Sequence, residues 1–373
     1  MANPQKKITL LISSLRGGGA QGVCVTLANG LVEKGWTVNL VVLNLNDSVY
    51  QDRLSPNVNL TNLHKGHIRT SFFALHKYLR TARPEKVVVF NHELAVLLVM
   101  IRMLTSLQFS IIARNINTLS LKRENEESFW CKYGIGFLVD VFYGRVDYVI
   151  AQSEDMKKDL IENMGFNNHD RISVINNPVN HIIEAFIKDF DFSSVRKQDY
   201  LLCIGKLEKQ KAFHLAIEAF SEIVYDYPEL RLKILGKGSQ EHRLKVLAEK
   251  LGIYDKVDFE GFQKDVIPYY LNARATVLTS LYEGFPNVLV ESIALGTPVV
   301  AFDCYSGPRE IIRDGVNGFL AEHEDLEGLV ECLKRTIDMR WNLKQVSETA
   351  NIYKSEVIVN RYERLLSSLI LPN

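Results

Sequence analysis

A pair of glutamates, Glu283 and Glu291, brackets the stretch Tyr282 to Glu291, YEGFPNVLVE. Between them lie a Gly-Phe-Pro turn and the start of a predicted helix. Pro286 suits a first helical turn, where its missing N–H has no partner to lose. The apolar run Val288, Leu289, Val290, Ile293, Ala294 and Leu295 carries the helix to Gly296, a C′ residue ahead of Thr297-Pro298. Helical side chains tilt toward the N-terminus, so Glu291 leans back to the helix start. Free N–H groups and the positive end of the dipole sit there as well, which suits a phosphate. A carboxylate for hydroxyl groups beside donors for a phosphate is what a nucleotide-sugar requires. Either glutamate alone reads as an ordinary solvated side chain; the whole stretch in its context points to chemistry.

A second set of backbone donors is expected near the N-terminus. Ile8 to Ser13 reads as a buried parallel strand. Arg16-Gly17-Gly18-Gly19-Ala20 follows, then helical spacing from Val23 to Gly35. Strand, glycine loop and helix allow N–H groups to approach a phosphate or sugar closely. The strict GxGxxG spacing and a following ribose-binding acid are absent, which disfavours a dinucleotide dehydrogenase.

The elements that must position these residues alternate along the chain. Strands are predicted at 36–43, 86–90, 109–113, 147–151 and 172–175, and helices at 71–82, 93–104, 128–143 and 153–163. This is the pattern of a doubly wound α/β domain. Residues 179–199 form a charged connection without a strand. A second run then places strands at 200–204, 231–235, 257–259, 275–279 and 299–302. Its helices are predicted at 213–226, 240–251, 265–272, 308–313, 325–338 and 343–368. The expected division is an N-terminal Rossmann-like acceptor-side domain, 1–180, and a C-terminal nucleotide-sugar domain, 181–355. A final helix, 356–373, is expected to pack back toward the first domain, with the two domains facing each other across a cleft.

The chain has 373 residues, 47% of them hydrophobic, enough for two cores. Lys+Arg and Asp+Glu are both 44, so overall charge selects no acidic partner, and no nucleic acid is expected. From Lys65 to Arg123, however, ten basic residues face only Glu85 and Glu93. That imbalance suits either solvated helix faces or an anionic membrane surface. Segment 128–145, SFWCKYGIGFLVDVFYGR, is aromatic with few charges, and fits a core helix or an interfacial one. The five cysteines are scattered, without a CxxC pair, which argues for a reducing compartment and against a zinc site. No secretory signal or spanning segment is apparent, so the expected location is cytoplasmic, peripheral on the inner face of the cytoplasmic membrane.

Residues 200–322 resemble the GT-B retaining glycosyltransferases of family 4, which include many bacterial surface-polysaccharide enzymes. The resemblance rests on Gly205-Lys206-Leu207 with Lys211, Gly236-Lys237-Gly238, Glu283-Gly284-Phe285-Pro286-Asn287 ending at Glu291, Gly296-Thr297-Pro298-Val299-Val300-Ala301, and Gly315-Val316-Asn317-Gly318-Phe319-Leu320. Gly17-Gly18-Gly19 and Asn177-Pro178 are similar to the family's N-terminal landmarks. The resemblance implies transfer of a hexose or N-acetylhexosamine from a nucleoside diphosphate, most simply UDP, to a lipid-linked or oligosaccharide acceptor. Lys206 and Lys211 would neutralise the diphosphate without a metal or other cofactor. Glu291 would bind ribose hydroxyls, and Glu283 would lie near the donor sugar. Backbone around Gly284, Phe285, Pro286, Asn287 and Val288, with Gly205, Gly236 and Phe262, would complete the donor set, and Gly17, Gly18 and Gly19 would approach from the other domain.

Departures from the family pattern matter. Lys206 stands where Arg is common, losing the planar fork. Ala212 replaces a Gly. Arg114-Asn115 follows the strand where many members carry His. Arg114 is therefore the candidate cation near the transferred sugar, and His92 and Asn115 are candidates on the acceptor side. A nucleotide-sugar epimerase on the same scaffold and a non-catalytic nucleotide-sugar-binding homologue are the alternatives.

Overall fold

A computed structural model describes residues 6–115, 118, 120, 136–164, 166 and 169–369. The chain forms two compact units. One comprises residues up to Asn180 together with those from Ser355 onward, and the other runs from His181 to Lys354.

The first unit is built from β1 (Lys7–Ile12), α1 (Gly19–Glu33), β2 (Thr37–Val42), β3 (Asn59–Asn62), α2 (Phe72–Ala82), β4 (Lys86–Val89), α3 (His92–Leu104), β5 (Ser110–Arg114), α4 (Gly136–Phe142), β6 (Tyr148–Ala151), α5 (Glu154–Glu162) and β7 (Ile172–Val174). Its seven strands are parallel, in the order β3-β2-β1-β4-β5-β6-β7. β1 pairs with β2 in the register Lys7↔Thr37 to Ile12↔Val42. Both faces of this sheet are covered, so its central strands β1, β4 and β5 are mostly apolar rather than alternating. Leu11, Val41, Val87 and Val89 enter one core with α3, while Leu10, Ile12, Leu40 and Val88 enter the other with α1.

The second unit contains α6 (His181–Ile187), β8 (Tyr200–Ile204), α7 (Phe213–Ile223), β9 (Arg231–Leu235), α8 (Glu241–Lys250), β10 (Val257–Gly261), α9 (Ile267–Asn272), β11 (Ala275–Leu278), α10 (Asn287–Ala294), β12 (Val299–Phe302), α11 (Pro308–Ile311), β13 (Gly318–Ala321), α12 (Leu326–Asp338) and α13 (Leu343–Glu348). Six parallel strands follow the order β10-β9-β8-β11-β12-β13. Both units are thus Rossmann-like sheets, as the alternation of elements predicts.

Three elements depart from the sequence reading. β3 (NLTN) carries little apolar signal and β13 (GFLA) is a short run directly after a Gly-rich turn, so neither reads as a strand in the sequence, yet each is an edge that extends a parallel ladder. The single helix expected over 343–368 is interrupted. α13 ends at Glu348, a 3₁₀ segment covers Thr349–Tyr353, and Lys354 is extended before α14 (Ser355–Ser368). Of the aromatic helix expected at 128–143, α4 is described, whereas 128–135, with Phe129, Trp130, Cys131 and Tyr133, lies outside the described residues, as do Lys122 and Arg123.

α14 belongs to the first unit and packs on α1, burying Ile358, Val359, Tyr362 and Leu366 in its core. Gly30 makes this approach possible: a Cβ there would sit 2.6 Å from Val359 Cγ2. Gly30→Ala is expected to destabilise the chain by about 1–3 kcal/mol, the usual cost of overpacking. Urea unfolding would measure this, and Val359→Ala added to Gly30→Ala should recover most of the loss.

Candidate functional site

In a doubly wound sheet, ligands bind beyond the carboxyl ends of the strands, where the strand order reverses. In the second unit that point lies between β8 and β11. The segments leaving these two strands, 205–212 and 279–286, hold most of the residues singled out from the sequence.

The two segments are laced together. Leu281 N donates to Gln210 O (2.9 Å), and Gln210 Nε2 donates to Tyr282 O (2.8 Å). Thr279 Oγ1 reaches the carbonyls of Lys211 and Ala212, each at 3.1 Å. Lys211 Nζ donates to Glu283 Oε1 at 2.5 Å, and the Ser280 hydroxyl donates to the same oxygen at 2.7 Å. Glu283 is only 6% exposed. Burial makes Lys211 and Glu283 each other's partner, a contact that the spacing of their motifs does not reveal. Burial also pushes the Cys304 thiol far up, reinforced by the neighbouring Glu283 carboxylate, so this thiol is inert.

The loop after β9 closes on the same segment. Gly205 N donates to Leu235 O (3.0 Å), and Leu207 N to Lys237 O (3.1 Å). A Cβ at Gly236 would fall 1.8 Å from Gly205 O, so only glycine permits this approach. Ala212 adopts φ 44°, the left-handed conformation of the glycine it replaces, at a cost of about 1–2 kcal/mol. Lys206 is exposed and its ammonium makes no ion pair among the described residues. Phe262 is 60% exposed beyond β10.

Beyond Glu283 the chain enters α10. Gly284 O accepts from the Ser306 hydroxyl (2.7 Å), and Phe285 is buried with its ring 5.4 Å from that of Tyr353. Pro286 stands at the N-cap position, one residue earlier than a first-turn residue, and its own side chain makes no cap. Asn287 and Val288 form its partly exposed first turn. Glu291, one turn in, accepts the hydroxyl hydrogen of Tyr270 at 3.1 Å.

Neither Tyr270 nor Ser280 was legible as a site residue. Ser280 carried a weak signal, three positions before Glu283. Tyr270 belongs to α9 and meets Glu291 only through the fold. At the end of α9, Lys197 Nζ donates to Leu271 O (2.8 Å) and Thr297 Oγ1 (2.5 Å). Burial, helped by the nearby Arg274 cation, pushes the Lys197 ammonium down to about 7.

In the first unit the strand order reverses between β1 and β4. Gly17 lies in the loop after β1, Gly18 is the N-cap of α1 and Gly19 its first residue. His92 opens α3 after β4, its Nε2 4.0 Å from Glu93 Oε1. Arg114 ends β5 and Asn115 follows it. Arg114 is 1% exposed: Nε donates to Tyr362 Oη (2.9 Å) and Nη2 to Asn177 Oδ1. Its Nη1 is buried without a hydrogen-bond acceptor among the described residues. Asn115 is buried too, accepting from Tyr143 Oη. Among the described residues, no cluster of His, Cys, Asp and Glu has the makings of a metal site.

Two outcomes follow. Removing one partner of a buried pair strands the other, so Lys211→Ala should lower stability by about 3–5 kcal/mol in urea unfolding. Unfolded, Lys197 holds its proton to the ordinary lysine range near 10.5, and folded only to about 7. Unfolding between these values takes up a proton, so stability rises with pH across that window. Relative to Lys197→Met, the wild type should gain at most about 1.4 kcal/mol per pH unit from pH 7 to about 8.5, below the range where cysteine ionises.

Residues 17–181 match the model of Glycosyltransferase Family 4, and residues 186–352 that of Glycosyl transferases group 1. An uncharacterized glycosyltransferase of Haemophilus influenzae is 26% identical over 375 residues, covering 97% of this chain and 100% of the relative. A Campylobacter jejuni relative, N-acetylgalactosamine-N,N'-diacetylbacillosaminyl-diphospho-undecaprenol 4-alpha-N-acetylgalactosaminyltransferase, is 26% identical over 352 residues, 89% of this chain and 90% of its own. Among solved structures, Anabaena HepE in complex with UDP superposes with TM-score 0.72 at 19% identity, over 97% of this chain and 100% of that one. Both Rossmann-like units thus match models of one enzyme group, and the chain belongs to the family 4, group 1 glycosyltransferases of the GT-B fold.

Proposed function

We propose that this glycosyltransferase moves a hexose or N-acetylhexosamine from UDP, with retention and without a metal, to a polyprenyl-linked glycan in surface-polysaccharide or lipopolysaccharide synthesis. The observation that carries the donor half is the pair of laced segments at the β8–β11 reversal. They bring Lys206, Lys211, the start of α10 and Glu291 to one end of one sheet. UDP as the carrier is supported by its presence in the HepE structure, and a lipid-linked acceptor by the name of the Campylobacter relative.

Departure of a nucleoside diphosphate builds negative charge on the leaving oxygen. Cations fixed in advance stabilise that charge more than they stabilise the bound donor. Lys206 is the exposed cation. Lys211 is held in place by Glu283, so its charge needs no reorganisation as the bond breaks. The backbone from Gly205, Gly236 and Gly284 to Val288, with Phe262, forms the rest of the proposed donor set, and Glu291 takes the ribose. Arg114 enters the proposal through its unmet Nη1, as a donor for a hydroxyl or anion reaching the first unit. Gly17 to Gly19 and His92 retain their proposed roles on strand-end loops of that unit.

The acceptor half is supported by a groove in the first unit of about 550 Å³. It is walled by Phe72, Val96, Leu97, Met100 and Leu138, with His67, Arg69 and Glu93 at its polar side. Arg69 makes no ion pair among the described residues. Phe73 and Phe137, beside the walls, are strongly exposed. Apolar surface of this kind with basic residues near it suits a hydrocarbon chain bearing a phosphate. No helix among the described residues is long and apolar enough to cross a membrane, so the proposed attachment is peripheral, on the cytoplasmic face.

Transfer from a panel of UDP-sugars, followed by mass spectrometry, tests the donor half. Lys206→Ala and Glu291→Ala should each reduce turnover by about 10²–10³-fold, and EDTA should leave it unchanged. Full turnover in both variants would remove the mechanism. Flotation with anionic liposomes tests the acceptor half: the chain should rise at low salt, and absence of binding there would overturn the peripheral attachment.

A further inference from the structure

Glu291 does not stand alone in the second unit. The hydroxyl of Tyr270 donates to its Oε2 at 3.1 Å, and Tyr270 is completely buried. Burial and the adjoining carboxylate both raise the phenol far above its ordinary range, so it stays protonated and can only donate to that oxygen. The helix that carries it, α9, has only six residues. So short a helix leaves its final carbonyls few backbone donors: the one Ala273 N–H is shared between Tyr269 O (3.2 Å) and Tyr270 O (3.3 Å). Two of them are taken by side chains from outside. The Thr297 hydroxyl donates to Tyr270 O (2.5 Å), and Lys197 Nζ donates to Leu271 O (2.8 Å). Lys197 Nζ also donates to Thr297 Oγ1 (2.5 Å), so the two caps hold each other. Tyr200 Oη adds a third bond, to Tyr269 O at 2.7 Å. Ser292, next to Glu291 on α10, donates to Thr297 O at 3.0 Å, closing the circuit between α10 and the cap of α9.

We propose that Tyr270 is a positioning and specificity-determining residue for the donor. Its hydroxyl aims the Glu291 carboxylate at the ribose, and Lys197 and Thr297 fix Tyr270 by capping its helix. The inference rests on the reading of Glu291 as the ribose ligand. A carboxylate on a free rotor samples several directions and loses that freedom when it binds a diol. One already held by a buried phenol has lost it beforehand, and binding gains accordingly. The bond also leaves Tyr270 without a role in the chemical step, so its loss belongs in donor affinity.

Calorimetric titration of the full chain with UDP and with 2′,3′-dideoxyuridine diphosphate tests this. Tyr270→Phe should weaken UDP about tenfold or more, as expected for a hydrogen bond to a charged group. It should raise the KM for the donor with kcat within about twofold, and leave the dideoxy ligand, which has no diol for Glu291, unchanged. In a Glu291→Ala background the Tyr270→Phe change should have no further effect. Equal weakening of both ligands, or no weakening of UDP, would overturn the proposal. Glu291→Ala with full UDP affinity would instead remove the ribose reading itself. Thr297→Val is the second variant should Tyr270→Phe fold poorly. It should weaken UDP and spare the dideoxy ligand, with Thr297→Ser restoring the wild-type value, and equal weakening of both ligands would again count against positioning.

Discussion

The second unit depends on one buried ion pair. Lys211 and Glu283 are each mostly removed from water, and their 2.5 Å contact repays that desolvation only with further hydrogen bonds. Ser280 supplies one to the shared oxygen. The backbone supplies the surroundings, since Thr279, Gln210 and Leu281 bind the two segments on either side of the pair. Break the pair, and both segments lose the contact that fixes where Lys206, Gly284 and α10 begin. A pair of this sort is weak evidence of net stability, but it does specify one arrangement of two loops.

The same economy appears in the backbone. Gly236 tolerates an approach to Gly205 O that no side chain would allow, and Gly307 does the same against Pro286, where a Cβ would come within 2.4 Å of Cδ. Ala212 occupies a left-handed conformation that favours glycine. Its cost is met by the burial of the alanine methyl and by the two Thr279 contacts, one of them to Ala212 O itself. A non-glycine residue in such a conformation persists where the surroundings over-determine it. The ion pair and the lacing provide that over-determination.

What the sequence made legible follows from how local each signal is. Continuous apolar runs such as ITLLI and VVAF mark strands covered on both faces, and the order of turns around them marks two parallel sheets. NLTN at β3 lacked that mark because an edge strand needs only one neighbour and little burial. The break at Lys354 was hidden because the helical spacing resumes after it. At the site, glycines and carboxylates were legible because their roles depend on residue type and spacing. The pairing of Lys211 with Glu283 was not, since it depends on distance between segments seventy-two positions apart. The burial of Arg114 was missed for the same reason. Its partners, Asn177 and Tyr362, come from the far end of the sheet and from α14.

The two units therefore solve different physical problems with the same sheet. In the second, polar side chains are satisfied one by one until little freedom is left. Glu283 is held by Lys211 and Ser280, Glu291 by Tyr270, and Tyr270 by the caps on its helix. Directional bonds at set distances suit a ligand whose nucleotide part is always the same. In the first unit the prominent concavity is walled by Phe72, Val96, Leu97 and Met100. Apolar contact is non-directional and scales with area, so such a wall tolerates variation in what it holds.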